Sequence, residues 1–151
     1  MAGLHYEDFE VGKVVRHEAA RSVTMFDDIW YTCMTMNTQP LHINADFAQK
    51  HGGYGKNQFN SMYTLQIVIG QTCTDLTRGT LVELVGIDDV EFPRSVFHDD
   101  TLYSRTTVLA KGAVDAQGGV VELLHEGFNQ HEELVASCRR KVKVRRRAGA
   151  S

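Results

Sequence analysis

The chain has 151 residues, 42% apolar or aromatic and 23% charged, a balance that suits one folded domain and is too apolar for a disordered chain. Its formal net charge of −3 hides an asymmetry: residues 139–147 (RRKVKVRRR) hold seven of the sixteen Lys and Arg and no acid, leaving nine bases against nineteen acids elsewhere. An acidic body excludes a general nucleic-acid binder, and no apolar run approaches the roughly 18 residues of a membrane span. The opening MAGLHYEDFEVG has acids where a signal peptide needs basic and then apolar residues, so a cytoplasmic protein is expected. Cys33, Cys73 and Cys138 are far apart and odd in number, which predicts reduced thiols acting as small core hydrophobes.

A short strand is expected near Lys13 to Glu18. Thr24 followed by Asp27 has the form of a capping box, and Phe26, Ile29, Trp30 and Cys33 recur at helical spacing, predicting a helix over 24–35. Pro40 cannot continue that helix, so 36–43 reads as a connection. Asn44 then caps a short helix closed by Gly52-Gly53. Residues 60–77 form the longest helical pattern, with Met62, Leu65, Ile69, Cys73 and Leu76 on one stripe and Ile67 and Val68 beside it, so this helix is expected to be covered on several sides. From residue 80 the period becomes two, and LVELVGIDDVEF, TLYSRTTVLA, GVVELLHEGFNQ and ELVASCRRKVKV read as four strands. Helices first and long antiparallel strands after them predict an α+β domain, one buried helix lying on a curved sheet.

Several constellations have no functional spacing. HGGYGKN (51–57) lacks the pattern of a phosphate loop and reads as a flexible loop, though it can border a pocket. His98-Asp99-Asp100, and His125 with His131, carry metal-ligand types without ligand spacing and read as solvated turn residues, so no metal is expected. In RKVKVR, strict alternation puts Lys141, Lys143 and Arg145 on one face of a strand and Val142 and Val144 on the other.

The segment NTQPLHINADFA (37–48), with FNSMYTLQIVIGQ and FPRSVFHDDTLY after it, resembles the MaoC-like dehydratases, the family of R-specific enoyl-CoA hydratases with the hotdog fold. YEDFEVGKV also resembles that family's N-terminal strand signature. The resemblance covers residues 1–144 as a single domain and leaves 145–151 as a basic tail. Its most specific element is an acid and a histidine five apart with Pro-Leu between, here Asn37-Thr38-Gln39-Pro40-Leu41-His42, with Asn37 where the family has aspartate. Asn60-Ser61-Met62 stands where the family commonly has His-Gly-Met, and Ile69 where it often has a serine. The Asn-x-x-Pro-x-His-x-Asn version resembles a sub-branch near hydratases of branched, carboxylated acyl-CoAs such as mesaconyl-CoA.

This resemblance implies water addition to, or removal from, the α,β double bond of an enoyl-CoA thioester. It also implies no cofactor beyond the coenzyme A of the substrate, and a homodimer or dimer of dimers. The chemistry needs a base for water, an acid for the α-carbon and a holder for the enolate oxygen. His42 lies in a Pro-anchored loop directly before a helix and suits the proton work. Asn37 is no base, but its carbonyl oxygen can orient water or its amide can donate to the thioester. Helix-start amides of Ser61 and Met62, beside Asn60 and Pro40, can hold the thioester oxygen. The plainer readings are a backbone-bonded His42, Asn37 as a turn former and Asn60 as an N-cap. Arg94 or the basic strand can meet coenzyme A phosphates. Two rival functions are a hotdog thioesterase, for which Asp75 is the one carboxylate in the long helix, and a non-catalytic acyl-CoA-binding protein that lost the aspartate.

Overall fold

The computed structural model describes residues 3–149; Met1 and Ala2, and Ala150 and Ser151 of the basic tail, lie outside them. The strands follow the period-two pattern closely: β3 is Leu81–Glu91, β4 Thr101–Val114, β5 Gly119–Phe128 and β6 Leu134–Val144, preceded by the short β1, Val14–Arg16, and β2, Arg21–Ser22. They form one antiparallel sheet ordered β1-β4-β5-β6-β3, with β2 also paired to β4. The short strand expected near Lys13 to Glu18 is β1, and a 3-10 turn at Tyr6–Asp8 precedes it, with the His5 N–H held by the Asp8 carboxylate.

Four helices interrupt the strands: α1 Met25–Met34, α2 Pro40–Ile43, α3 Ala45–His51 and α4 Ser61–Gln71. The expected caps are present, with Asp27 N–H bonded to Thr24 Oγ1 and Phe47 N–H to Asn44 Oδ1. Residues 40–43 are helical rather than a plain connection, because Pro40 takes the first helical position, where its missing N–H costs nothing. The long helix is also shorter than its pattern: α4 stops at Gln71, and Cys73–Thr77 continue as one wider turn.

Helix α4 lies across β4, β5 and β6 and buries Thr64, Leu65, Ile67, Val68 and Gln71. At Gly127 of β5 a Cβ would stand 2.3 Å from Val68 Cγ2, so only glycine lets helix and sheet approach this closely. This is the hotdog architecture, a curved sheet around one central helix. The core divides into a cluster of Phe9, Leu76, Val108, Val121, Leu123, Val142 and Val144 and another of Val23, Phe59, Ile67, Val96, Leu102 and Val135. The predicted stripe is only half right. Leu65 and Leu76 are buried, whereas Met62 and Cys73 are exposed and one flank of α4 is open.

Helix α1 is inside out relative to its pattern. Phe26, Ile29, Trp30 and Met34 face outward, while the polar Asp28 and Thr32 face in. It docks through Tyr31, whose ring stacks on Tyr63 of α4 at 4.5 Å. In β6 the alternation holds: Val142 and Val144 are buried, Lys141 and Lys143 half-buried on the other face. Arg140 shares the inner face and is itself buried. Of the cysteines only Cys138 is a core residue, its thiol pushed up to about 11 by burial; Cys33 and Cys73 are exposed.

Candidate active site

The loop carrying His42 is built by short-range hydrogen bonds. After α1 the chain reverses at Met36, whose φ is 55°, and Asn37 N–H returns to the Thr32 carbonyl at 3.0 Å. Asn37 Oδ1 accepts from Gln39 N–H at 3.0 Å, an Asx turn that leads into α2. Gln39 caps α2, Pro40 starts it, and His42 falls in its last turn. His42 Nδ1 then meets the Gln58 carbonyl oxygen at 2.8 Å, and Gln58 N–H and Asn57 Nδ2 both return to the Leu41 carbonyl, at 3.2 and 3.1 Å. A carbonyl only accepts, so His42 Nδ1 carries hydrogen and the other ring nitrogen, Nε2, keeps a free lone pair in the neutral ring.

The start of α4 is three residues beyond Gln58. Asn60 Oδ1 accepts from both Met62 N–H, at 3.0 Å, and Tyr63 N–H, at 3.2 Å. This corrects the expectation for Met62, whose amide is consumed by the N-cap, and its side chain is half exposed at the rim. The Ser61 N–H has no partner among the described residues, so it is the amide left at the positive end of the helix. Asn37 uses its oxygen in the turn, and its NH2 has no partner among the described residues. The plain readings of His42, Asn37 and Asn60 therefore all hold, and each of the first two keeps one polar group free.

Two residues escaped the sequence reading. Asp28, fully buried, accepts Asn60 N–H on Oδ1 at 3.0 Å, and its Oδ2 meets His98 Nε2 at 3.2 Å. Burial pushes its carboxyl up, and the donors from His98 and Asn60 and the charge of His42 pull against that. His98 is thus no solvated turn residue, and neither is His125, which is fully buried in β5. The one hint in the sequence is that Asp28 lies off the apolar stripe of α1.

The remaining candidates are engaged in other contacts. Asp75 lies fourteen residues beyond Ser61, about 20 Å at the helical rise, and its carboxylate takes His17 Nδ1 at 2.6 Å. Arg94, Lys141 and Lys143 are each paired with an acid, Glu133, Asp88 and Asp115. In the 51–57 loop, Lys56 Nζ stands 3.9 Å over the Phe97 ring, one residue from His98. A concavity of about 480 Å³ lined by His17, Tyr103, Arg105 and Phe128 touches neither His42 nor Asn37. No group of three metal-ligating side chains occurs among the described residues.

The family model described as the MaoC like domain matches residues 8–127, the stretch that holds every residue of this site. The chain belongs to the MaoC-like family. It is 30% identical over 146 residues to the beta-methylmalyl-CoA dehydratase of Chloroflexus aurantiacus, covering 96% of this chain and 41% of that protein. It is 28% identical over 151 residues to the mesaconyl-CoA hydratase of Cereibacter sphaeroides, covering 99% and 43%. The crystal structure of a MaoC domain protein from Chloroflexus aurantiacus superposes with a TM-score of 0.90 at 29% identity, over 99% of this chain and 42% of that one. This MaoC-like chain thus spans about two-fifths of the length of the curated relatives it matches.

Proposed function

We propose that this MaoC-like domain is a hydratase/dehydratase that adds water to, or removes it from, the α,β double bond of an enoyl-CoA thioester. The observation that carries the reading is the contact of His42 with Gln58, which fixes the ring, leaves Nε2 free and ties it three residues ahead of the unpartnered Ser61 N–H. In the hydration direction, His42 Nε2 removes a proton from water as the hydroxyl oxygen bonds to the β-carbon. The π electrons move onto the thioester oxygen, which Ser61 N–H and the Asn37 NH2 stabilise. The proton on His42 then passes to the α-carbon, the enolate collapses and a 3-hydroxyacyl-CoA leaves; the reverse sequence is dehydration. Atoms and charge balance without a redox cofactor or metal, so turnover should survive chelator and reductant.

The substrate class favoured is a branched or carboxylated enoyl-CoA. The names of the two curated relatives support this, as does an uncharged amide at Asn37 where a carboxylate would repel an acidic acyl group. A cytoplasmic homodimer is the assembly proposed. Edge strand β3 is unpaired on one side in the single chain and exposes Leu84, Val85 and Val90, and α1 exposes Phe26 and Trp30 nearer the site. Sedimentation of a stable, active monomer would remove the dimer.

The deciding experiment measures water addition across a panel of enoyl-CoAs, carboxylated and uncharged, alongside release of free coenzyme A. Hydration without release supports the proposal. Release with no hydration would favour a thioesterase, and binding with neither would leave an acyl-CoA-binding protein.

A further inference from the structure

Asp28 is a carboxylate on the inward face of a helix whose outward face is apolar, and it is fully buried. Burying a charge is costly unless its oxygens are satisfied, and here both are, one by the Asn60 backbone N–H and the other by His98. The atoms held are informative. Asp28 grips Asn60 N–H, and His42 grips the Gln58 carbonyl, so the two side chains hold opposite ends of a single residue, Phe59, just before α4. Phe59 is itself buried, and its ring meets the His98 ring edge-on at 6.4 Å. The segment that carries the free Ser61 amide is therefore clamped from α1 and from α2 at once.

Burial raises the Asp28 carboxyl, and the groups around it pull against that rise. From the loop after β3 comes His98, from α2 comes His42, and α4 brings only the neutral Asn60. Its neighbour Asp27 turns outward, to Arg21 at 2.6 Å and to Thr24. Asn37, the residue at which a carboxylate would otherwise accompany His42, has none to offer.

We infer that the buried Asp28–His98 pair is a positioning device of the site, holding Asn60 so that Ser61 N–H is presented and setting beside His42 the negative charge that Asn37 does not supply. This rests on His42 acting as the base in the hydratase reading. An imidazole gains positive charge as it takes the water proton, and a nearby fixed carboxylate favours that state. Asp28 does not touch substrate; it acts through His42 and through the first turn of α4.

The test is Asp28→Asn, read by the pH profile of hydration and by NMR titration of the labelled His42 ring. The amide can still accept Asn60 N–H and can donate to His98 in its other tautomer, so the contacts survive without the charge. The His42 midpoint is expected to fall by about one pH unit, the acidic limb of kcat/KM to follow it, and the rate near neutrality to drop by about tenfold with KM little changed. His98→Gln, which keeps the carboxylate, should leave the His42 midpoint in place. If Asp28→Asn proves unstable, the double variant Asp28→Asn/His98→Gln puts neutral amides on both sides and should show the same shift. An unmoved midpoint and limb in folded Asp28→Asn, or in the folded double variant, would overturn the inference. Full hydration by His42→Ala would instead sink the hydratase mechanism, and the NMR arm would still report on Asp28.

Discussion

His42 donates its Nδ1–H to the Gln58 carbonyl oxygen at 2.8 Å, so the contact that anchors the loop also decides which ring nitrogen is left for chemistry. Replacing His42 by glutamine should leave the fold intact, because the neighbouring Leu41 carbonyl still takes Asn57 Nδ2 and Gln58 N–H. Hydration is expected to fall by a factor on the order of 10² to 10⁴, the range of general acid–base catalysis. Steady-state rates on a responsive enoyl-CoA, with circular dichroism to confirm folding, check this.

The contact of Val68 with Gly127 predicts a packing defect. Gly127→Ala places a methyl where Val68 Cγ2 already stands, 2.3 Å away, between two rigid elements. Helix α4 must then lift off β5, at a cost of about 1–3 kcal/mol. Urea denaturation should show a lower midpoint, and activity should fall with it because the same helix presents Ser61 at its other end.

What was legible in the chain was local. The Thr24–Asp27 box, the Asn44 and Asn60 caps and the alternation of β4 to β6 are signals within a few residues, and the backbone follows them. The family motif also singled out His42, which the structure ties to Gln58, three residues before Ser61. Asp28 and His98 were not legible, because their meaning depends on partners 32 and 70 residues away. The apolar stripe of α1 misled for a related reason: Phe26, Ile29 and Trp30 mark a covered face only if something covers it, and in the single chain nothing does. Met62 failed through competition, since the Asn60 side chain reaches its amide first.

A second hydrogen-bonded chain, running from exposed Asp75 into the core, sets a pH dependence of stability. His17 Nδ1 meets the Asp75 carboxylate at 2.6 Å and its Nε2 meets the Thr106 hydroxyl, which also meets His125 Nδ1, each nitrogen contact with Thr106 being 2.8 Å. His125 Nε2 is buried without a hydrogen-bond partner among the described residues. Burial, helped by the charges of Arg140 and His17, drives the His125 pKa down to about 3. Above pH 6.5 His125 is neutral folded and unfolded and contributes nothing to the slope. Between about 6.5 and 3 the unfolded chain binds a proton that the folded chain refuses, so stability falls as pH falls, by roughly 1.4 kcal/mol per pH unit. Urea midpoints at pH 7 and pH 5 should show this loss, and His125→Gln should flatten it. An equal loss in the variant would assign the acid sensitivity to other groups.

Asn37 gives the sharpest test of substrate class. Its oxygen accepts Gln39 N–H at 3.0 Å and an aspartate oxygen can do the same, so Asn37→Asp keeps the turn into α2. What changes is the group the turn leaves free: an NH2 donor becomes a carboxylate oxygen, five residues before His42 in the motif. For an uncharged enoyl-CoA this restores the family's acid, and hydration should hold or rise. For a substrate with its own carboxylate, two like charges are brought together, which raises KM and moves preference toward the uncharged chain. Asn37→Ala separates donor from charge: it removes one hydrogen bond, worth about 0.5–1.5 kcal/mol, and should slow both substrates by about tenfold or less. Measured as ratios of kcat/KM for paired carboxylated and uncharged enoyl-CoAs, a ratio unmoved by Asn37→Asp would refute the carboxylate preference and leave the His42 chemistry standing.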